Sequence, residues 1–225
     1  TQQVLQLRQE AHALHVMLRG KPWATYHFDT RRPEVPRPFF HPILGPTDAE
    51  VTQNGEFPGT AKGHTWHTGL WLAHQNFTGG NNWQTGSDRF SRMRHQGFLH
   101  LSAAEDSLSW TERLDWLNVA GTSVAFTETR RITALFPDKA VPWKRRYLDW
   151  ESSITCGEAP ATWLATPYQL LALRVPDALR PESGGRILNS EGLENAAMAG
   201  KPARWVDISG NLGGPCGVAL FDHPA

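Results

Sequence analysis

The chain is short of the groups that mark several large protein classes. Its two cysteines, Cys156 and Cys216 in 225 residues, cannot build a disulfide framework. Neither stands in the CxxC spacing of a zinc or redox site. Both read as small buried apolar residues, with a single bridge allowed but not indicated. Charge of one sign is also missing: Lys+Arg and Asp+Glu each number 22, so no net field draws the chain to nucleic acid or to an anionic membrane. No apolar run approaches the roughly 18 residues that span a bilayer. A GxSxG elbow, a GxxxxGK[ST] phosphate loop and a GxGxxG fingerprint are absent, which sets aside serine-hydrolase, kinase and dinucleotide-binding readings. The expected partner is therefore a small molecule, with no nucleic acid and no membrane. A start at Thr1 without Met leaves cytoplasm and periplasm equally open, and nothing fixes an oligomeric state.

What is present is punctuation and aromatic area. The 16 Pro and 20 Gly divide the chain into short segments, which favours β-structure. Leu14 to Leu18 and Trp23 to Phe28 read as strands joined by a turn at Arg19 to Pro22. Thr30 to Pro46 is expected to be looped or extended, anchored by Phe39 and Phe40. Period-two alternation is clearest from Leu108 to Trp116, where Leu108, Trp110, Glu112, Leu114 and Trp116 share a face. In Thr122 to Leu135 both faces carry polar groups, so that strand is expected to border a cleft or solvent. Arg146 to Thr155 alternates again, with Tyr147, Asp149 and Glu151 on a face suited to a concave sugar site. Helical spacing is weak: Tyr168 to Leu173, and about two turns over Glu191 to Met198. Gly217 to Asp222 reads as a last strand. With no repeat or linker, a single all-β antiparallel domain over residues 1–225 is the economical expectation.

The most concentrated chemistry lies in GHTWHTGLWLAH, Gly63 to His74. His64 and His67 have an i, i+3 spacing, but Gly63 and Gly69 and the aromatic alternation favour loop and strand over helix. An imidazole exchanges protons near neutral pH, so the pair suits general acid–base chemistry or hydrogen bonding to a sugar. A divalent metal held by the pair and a carboxylate is the alternative, although no cofactor is expected. The 10 Trp supply large rings, and Trp66, Trp71 and Trp83 are candidates to stack on a sugar, with at least one of them core.

Three blocks carry a family resemblance: RPFFHPILGP at Arg37 to Pro46, the opening stretch, and GGRILNSEGLENAAMAGKPARWVDISG from Gly184 to Gly210 followed by GVALFDHPA. Together they resemble a bacterial family labelled PmoA-like or methane-oxygenase-like, of the DUF6807 type. The resemblance implies a β-sandwich similar to the galactose-mutarotase-like supersandwich, with short helical turns and a carbohydrate-related role. The oxygenase label reads as inherited, since a methane monooxygenase subunit is membrane-embedded. The family's His-Pro-His-His-Arg-Gly corresponds to His64 through Gly69, with Trp66 and Thr68 replacing a His and the Arg. The family also continues beyond the Asp-His-Pro motif, so C-terminal strands are expected to be missing here.

On this reading His64, His67 and Glu191 stand closest to a reaction of epimerase, lyase or hydrolase type. His41, Trp66, Trp71, Trp83, Arg174, Arg204, Asp222 and His223 would bind the substrate. Structural alternatives stand beside each. Glu191 also suits a helix start beside a capping Ser190, and Arg174 or Arg204 also suits an ion pair with Glu182 or Asp207. A glycosidase would need two facing carboxylates, for which Glu128, Asp149, Glu151 and Glu191 are available. The alternative function is a non-catalytic carbohydrate-binding or structural sandwich.

Overall fold

The computed structural model describes residues 4–55, 64–136, 145–168 and 170–223. Gly63 and Pro224 of the motifs above lie outside them. The chain is all-β and antiparallel. One sheet has the strands β1 (Leu5–Gln9), β2 (Ala13–Leu18), β3 (Lys21–His27), β4 (Phe39–Ile43), β5 (Leu70–Leu72) and β10 (Leu171–Leu173) in that order. The facing sheet runs β6 (Met93–Ala103), β7 (Ser107–Leu117), β8 (Val124–Leu135) and β9 (Tyr147–Cys156). A smaller sheet holds β11 (Arg186–Asn189), β12 (Trp205–Asn211) and β13 (Pro215–Phe221).

The expected β2–β3 hairpin forms, closed by Arg19 and Gly20 with φ of 51° and 78°. Two positive φ values in a two-residue loop match the right-handed twist of the paired strands. Period-two alternation then sends Leu14, Tyr26, Phe40, Leu70 and Leu173 to the inner face, where they lie in register across five strands. Opposite them the row Trp110, Ile132, Trp150 comes from β7, β8 and β9. One buried cluster joins the two sheets through these side chains, each fully buried large apolar group being worth about 1.5–3 kcal/mol. The small sheet packs through Ile208 on Val175 and Leu179, with Leu173 at the margin.

Several expectations are corrected. Strand β8 borders solvent through Thr129 and Arg131, as expected, but its other face does not: the Glu128 and Arg130 side chains are fully buried between the sheets. Their polarity is absorbed internally. Arg130 donates to the two oxygens of Glu128 at 2.7 and 3.0 Å and to Tyr26 Oη at 2.9 Å. Trp116 Nε1 and Ser152 Oγ also donate to Glu128, at 2.9 and 2.7 Å. Tyr26 in turn donates to Glu112, whose other oxygen lies 2.6 Å from His95 Nδ1. Burial raises the Tyr26 hydroxyl well above its ordinary pKa, which keeps it a donor. Asp149 and Glu151 point outward from edge strand β9 and are exposed, so they do not shape a hollow. Within the stretch expected to be helical, Leu171–Leu173 form β10, because pairing with β5 overrides weak helical spacing. The second expected helix is a single 3-10 turn, Asn195–Met198. Cys156 is exposed and Cys216 half-buried, and both are free thiols.

Candidate functional site

The alternation that buries Leu70 inward turns Trp71 to the outer face of the six-stranded sheet. There His27, Phe39, Trp71 and Ala172 form a second row in register. Loop segments fold over this face and make a satellite core of Val35, Phe39, Trp71, Ala73 and Trp83, with Trp66 against it. The approach of the chain to β5 requires glycine: Gly69 has φ +59°, and a Cβ there would stand 1.9 Å from the Phe40 carbonyl oxygen.

The histidine segment is neither helix nor strand. A turn closed by the His67 N–H donating to the His64 carbonyl at 3.0 Å stacks the two rings at 4.7 Å and 7°. His67 lies 5.2 Å from Trp71 and 6.1 Å from Trp83, ring centre to ring centre. Burial, followed by the charges of His64, Arg174 and Arg37, pushes the His67 imidazole down to about 4. It is therefore neutral at physiological pH. Trp71 and Trp83 are 1% and 5% exposed, so they present packing surface rather than a free face to a ligand. Trp83 already stacks on Tyr168 at 5.1 Å. Trp66 is half-buried at the rim.

Beside this turn runs a groove of about 540 Å³, with His27, Phe39 and His41 along its sheet side and Arg32, Glu34, Asn54, Thr65 and Thr68 around it. His27 Nε2 donates to the His41 carbonyl at 2.7 Å. That bond selects the Nε2–H tautomer and leaves Nδ1 as an acceptor. Burial lowers the pKa of both His27 and His41. Thr52 Oγ1 accepts the Ile43 N–H at 2.9 Å and lies 3.0 Å from His41 Nδ1. His41 Nε2 lies 3.3 Å from the Glu50 carboxylate, so the ring is held between a hydroxyl and a carboxylate. His41 also borders a second hollow of about 580 Å³ with Glu50, Thr52 and Pro176. His27, Glu34 and Glu50 escaped the sequence reading. The signal for His27 was alternation along β3, which puts Tyr26 in and His27 out; Glu34 and Glu50 sit in loops whose path no periodicity describes.

The expected constellation divides in two. His41, His64, His67, Trp66, Trp71, Trp83 and Arg174 gather over the outer face of the six-stranded sheet, Arg174 donating its N–H to the Gly69 carbonyl at 2.7 Å. Glu191, Arg204 and Asp222 gather at one end of the small sheet, with exposed His223 next in the chain. There the Asp222 N–H donates to the Arg204 carbonyl at 2.8 Å, and the Arg204 N–H donates to Ser190 Oγ at 2.9 Å. Ser190 Oγ donates to Glu191 at 2.7 Å. Glu191 is exposed and lines neither hollow. No helix starts at Ser190; buried Asn189 organises the turn, its Oδ1 accepting the N–H groups of Glu191 and Leu193. Glu182 pairs with Arg180 at 3.4 Å.

Among the described residues no three His, Cys, Asp or Glu side chains come together so as to hold a metal ion, and no helix is long and apolar enough to cross a membrane. Neither a curated protein nor a solved structure matches the sequence. One family does, over residues 13–225, and the chain accordingly belongs to DUF6807, a family of unknown function.

Proposed function

We propose that the chain binds a sugar or sugar derivative in the groove beside the histidine turn and exchanges protons with it. The observation that carries this reading is the groove's lining. Two neutral imidazoles, a carboxylate, a guanidinium, an amide and two threonines surround a space of about 540 Å³ with Val35 and Pro42 in its apolar lining, and that many hydrogen-bonding groups around one hollow suit a polyol. His27 Nδ1 is the proton acceptor. His41, backed by Glu50, is the second proton-exchanging group, and Thr65 and Thr68 of the histidine turn line the hollow beside them. A reaction that opens or epimerises a sugar needs such a pair. The resemblance of the Arg37–Pro46 and Gly184–Gly210 blocks to PmoA-like proteins, which implies a galactose-mutarotase-like sandwich, is what favours a sugar, and the carboxylate role passes from Glu191 to Glu50.

A panel of neutral and acidic monosaccharides, followed by saturation-transfer NMR and by one-dimensional spectra over long incubation, tests the reading. Binding with product formation is expected. His27→Ala and His41→Ala should each lower turnover at least a hundredfold in folded protein, whereas Glu191→Ala leaves it within about twofold. Failure of every sugar to bind overturns the proposal. A second reading, a non-catalytic sugar-binding sandwich, is favoured by the packing of His67 against four rings, and it predicts binding without product.

A further inference from the structure

Two of the residues that line the groove, His41 and Asn54, also line the second hollow. They reach it from different elements: His41 from β4, Asn54 from a segment laid against the histidine turn. Both are held in place. The His41 ring stands 3.0 Å from Thr52 Oγ1 and 3.3 Å from Glu50. Asn54 pairs with Thr68, between the Gly69 N–H donating to the Gln53 carbonyl at 2.9 Å and the Gly55 N–H donating to the His67 carbonyl at 2.8 Å. The two hollows therefore adjoin across a junction that binding need not first order. Each, at about 540 and 580 Å³, lies within the roughly 300–1,000 Å³ of a small-ligand site, so each has room for a ring of its own. Both mix apolar and polar lining: Val35 and Pro42 with Thr65 in the groove, Pro176 and Leu212 with Glu50 in the second hollow. Arg32, the guanidinium at the groove, is already paired with Glu34, and the second hollow carries a carboxylate, so an uncharged ligand suits the pair better than an acidic one.

We propose that the two hollows are neighbouring subsites of one cleft, and that the ligand is a neutral oligosaccharide of two or more units, one ring in each hollow, with the linkage between them passing His41 and Asn54. This rests on the sugar reading above and narrows it from a single sugar to a chain. Once the first ring is seated, the second is already beside its own hollow, so it binds without a further loss of translational freedom. His41 then stands at the linkage between two sugar units.

Titration calorimetry with glucose, galactose, cellobiose, maltose and lactose separates the possibilities. At least one disaccharide is expected to bind about tenfold or more tighter than either of its component monosaccharides. Ala49→Trp, which fills the second hollow from its lining, should bring that disaccharide down to monosaccharide affinity and leave monosaccharide binding within about twofold. Should Ala49→Trp not fold, chemical-shift mapping on the unaltered protein serves instead: the disaccharide shifts the amides of Thr65 in the groove and of Leu212 in the second hollow with one shared dissociation constant. Disaccharides that bind no tighter than their monosaccharides, or that shift the residues of one hollow only, overturn the inference and leave the sugar reading intact. Binding of no sugar at all overturns both.

Discussion

An imidazole held between another imidazole and an indole loses water from both faces, and His67 is in that position. Protonation is then penalised by burial and by the neighbouring cations. The folded chain resists taking a proton that the unfolded chain binds near 6.5, so stability held above that pH is lost as pH falls toward 4. His27 and His41, whose pKa values burial also lowers, act in the same direction. Melting temperature measured from pH 7.5 to 4 should therefore fall, and the fall should be shallower in His67→Gln. Parallel curves for the two proteins would remove His67 from this account. That His64 and His67 lie close together was legible in their spacing, whereas their stacking was not, because a turn imposes no side-chain period.

At the level of the element, β4 and β5 decide where the groove lies. Phe39 pairs with Trp71 and Phe40 with Leu70, so one step along each strand separates the sandwich core from the outer face. Alternation in LeuTrpLeu predicts that Leu70 and Trp71 part company, and they do. What it leaves open is that Trp71 would be roofed by loops into a second core. The entry to β5 depends on Gly69, where both the positive φ and the Phe40 carbonyl exclude a side chain. Gly69→Ala should destabilise the protein by about 3 kcal/mol or more, read as a lowered urea midpoint with an unchanged slope. A loss under about 0.5 kcal/mol would mean that the strands re-register freely. Strand β10 shows the limit of local reading: three residues become a strand because β5 offers an unpaired edge, and that edge lies about a hundred residues away in the chain.

For the whole molecule, the two sheets are joined by an apolar core with an ionic seam through it. Glu128 receives four donors, two from Arg130 and one each from Trp116 and Ser152. Glu128→Gln replaces one acceptor oxygen by a donor and leaves Arg130 buried beside a neutral group. A loss of about 3–5 kcal/mol in chemical unfolding is expected, and a change below about 1 kcal/mol would contradict the seam's place in the core. Sequence placed Glu112, Glu128 and Arg130 on faces with large apolar residues and read the mixed pattern of β8 as a border with a cleft or solvent, which holds for the face of Thr129 and Arg131 alone. A charge in a strand looks the same whether water or a partner from another strand neutralises it. By itself the sequence determined the all-β class, the β2–β3 turn and the faces of β7, β8 and β9, since backbone period and turn chemistry are local properties; β6 went unread. Only the tertiary structure decided which polar groups meet: it set Tyr26 against Glu112, gathered His27 and His41 into the groove with Glu50 behind, left Glu191 in a turn beside the small sheet, and buried Arg37 on backbone carbonyls. Those encounters depend on the register between strands far apart in the chain and on the course of the loops, and neither is encoded in any short stretch of residues.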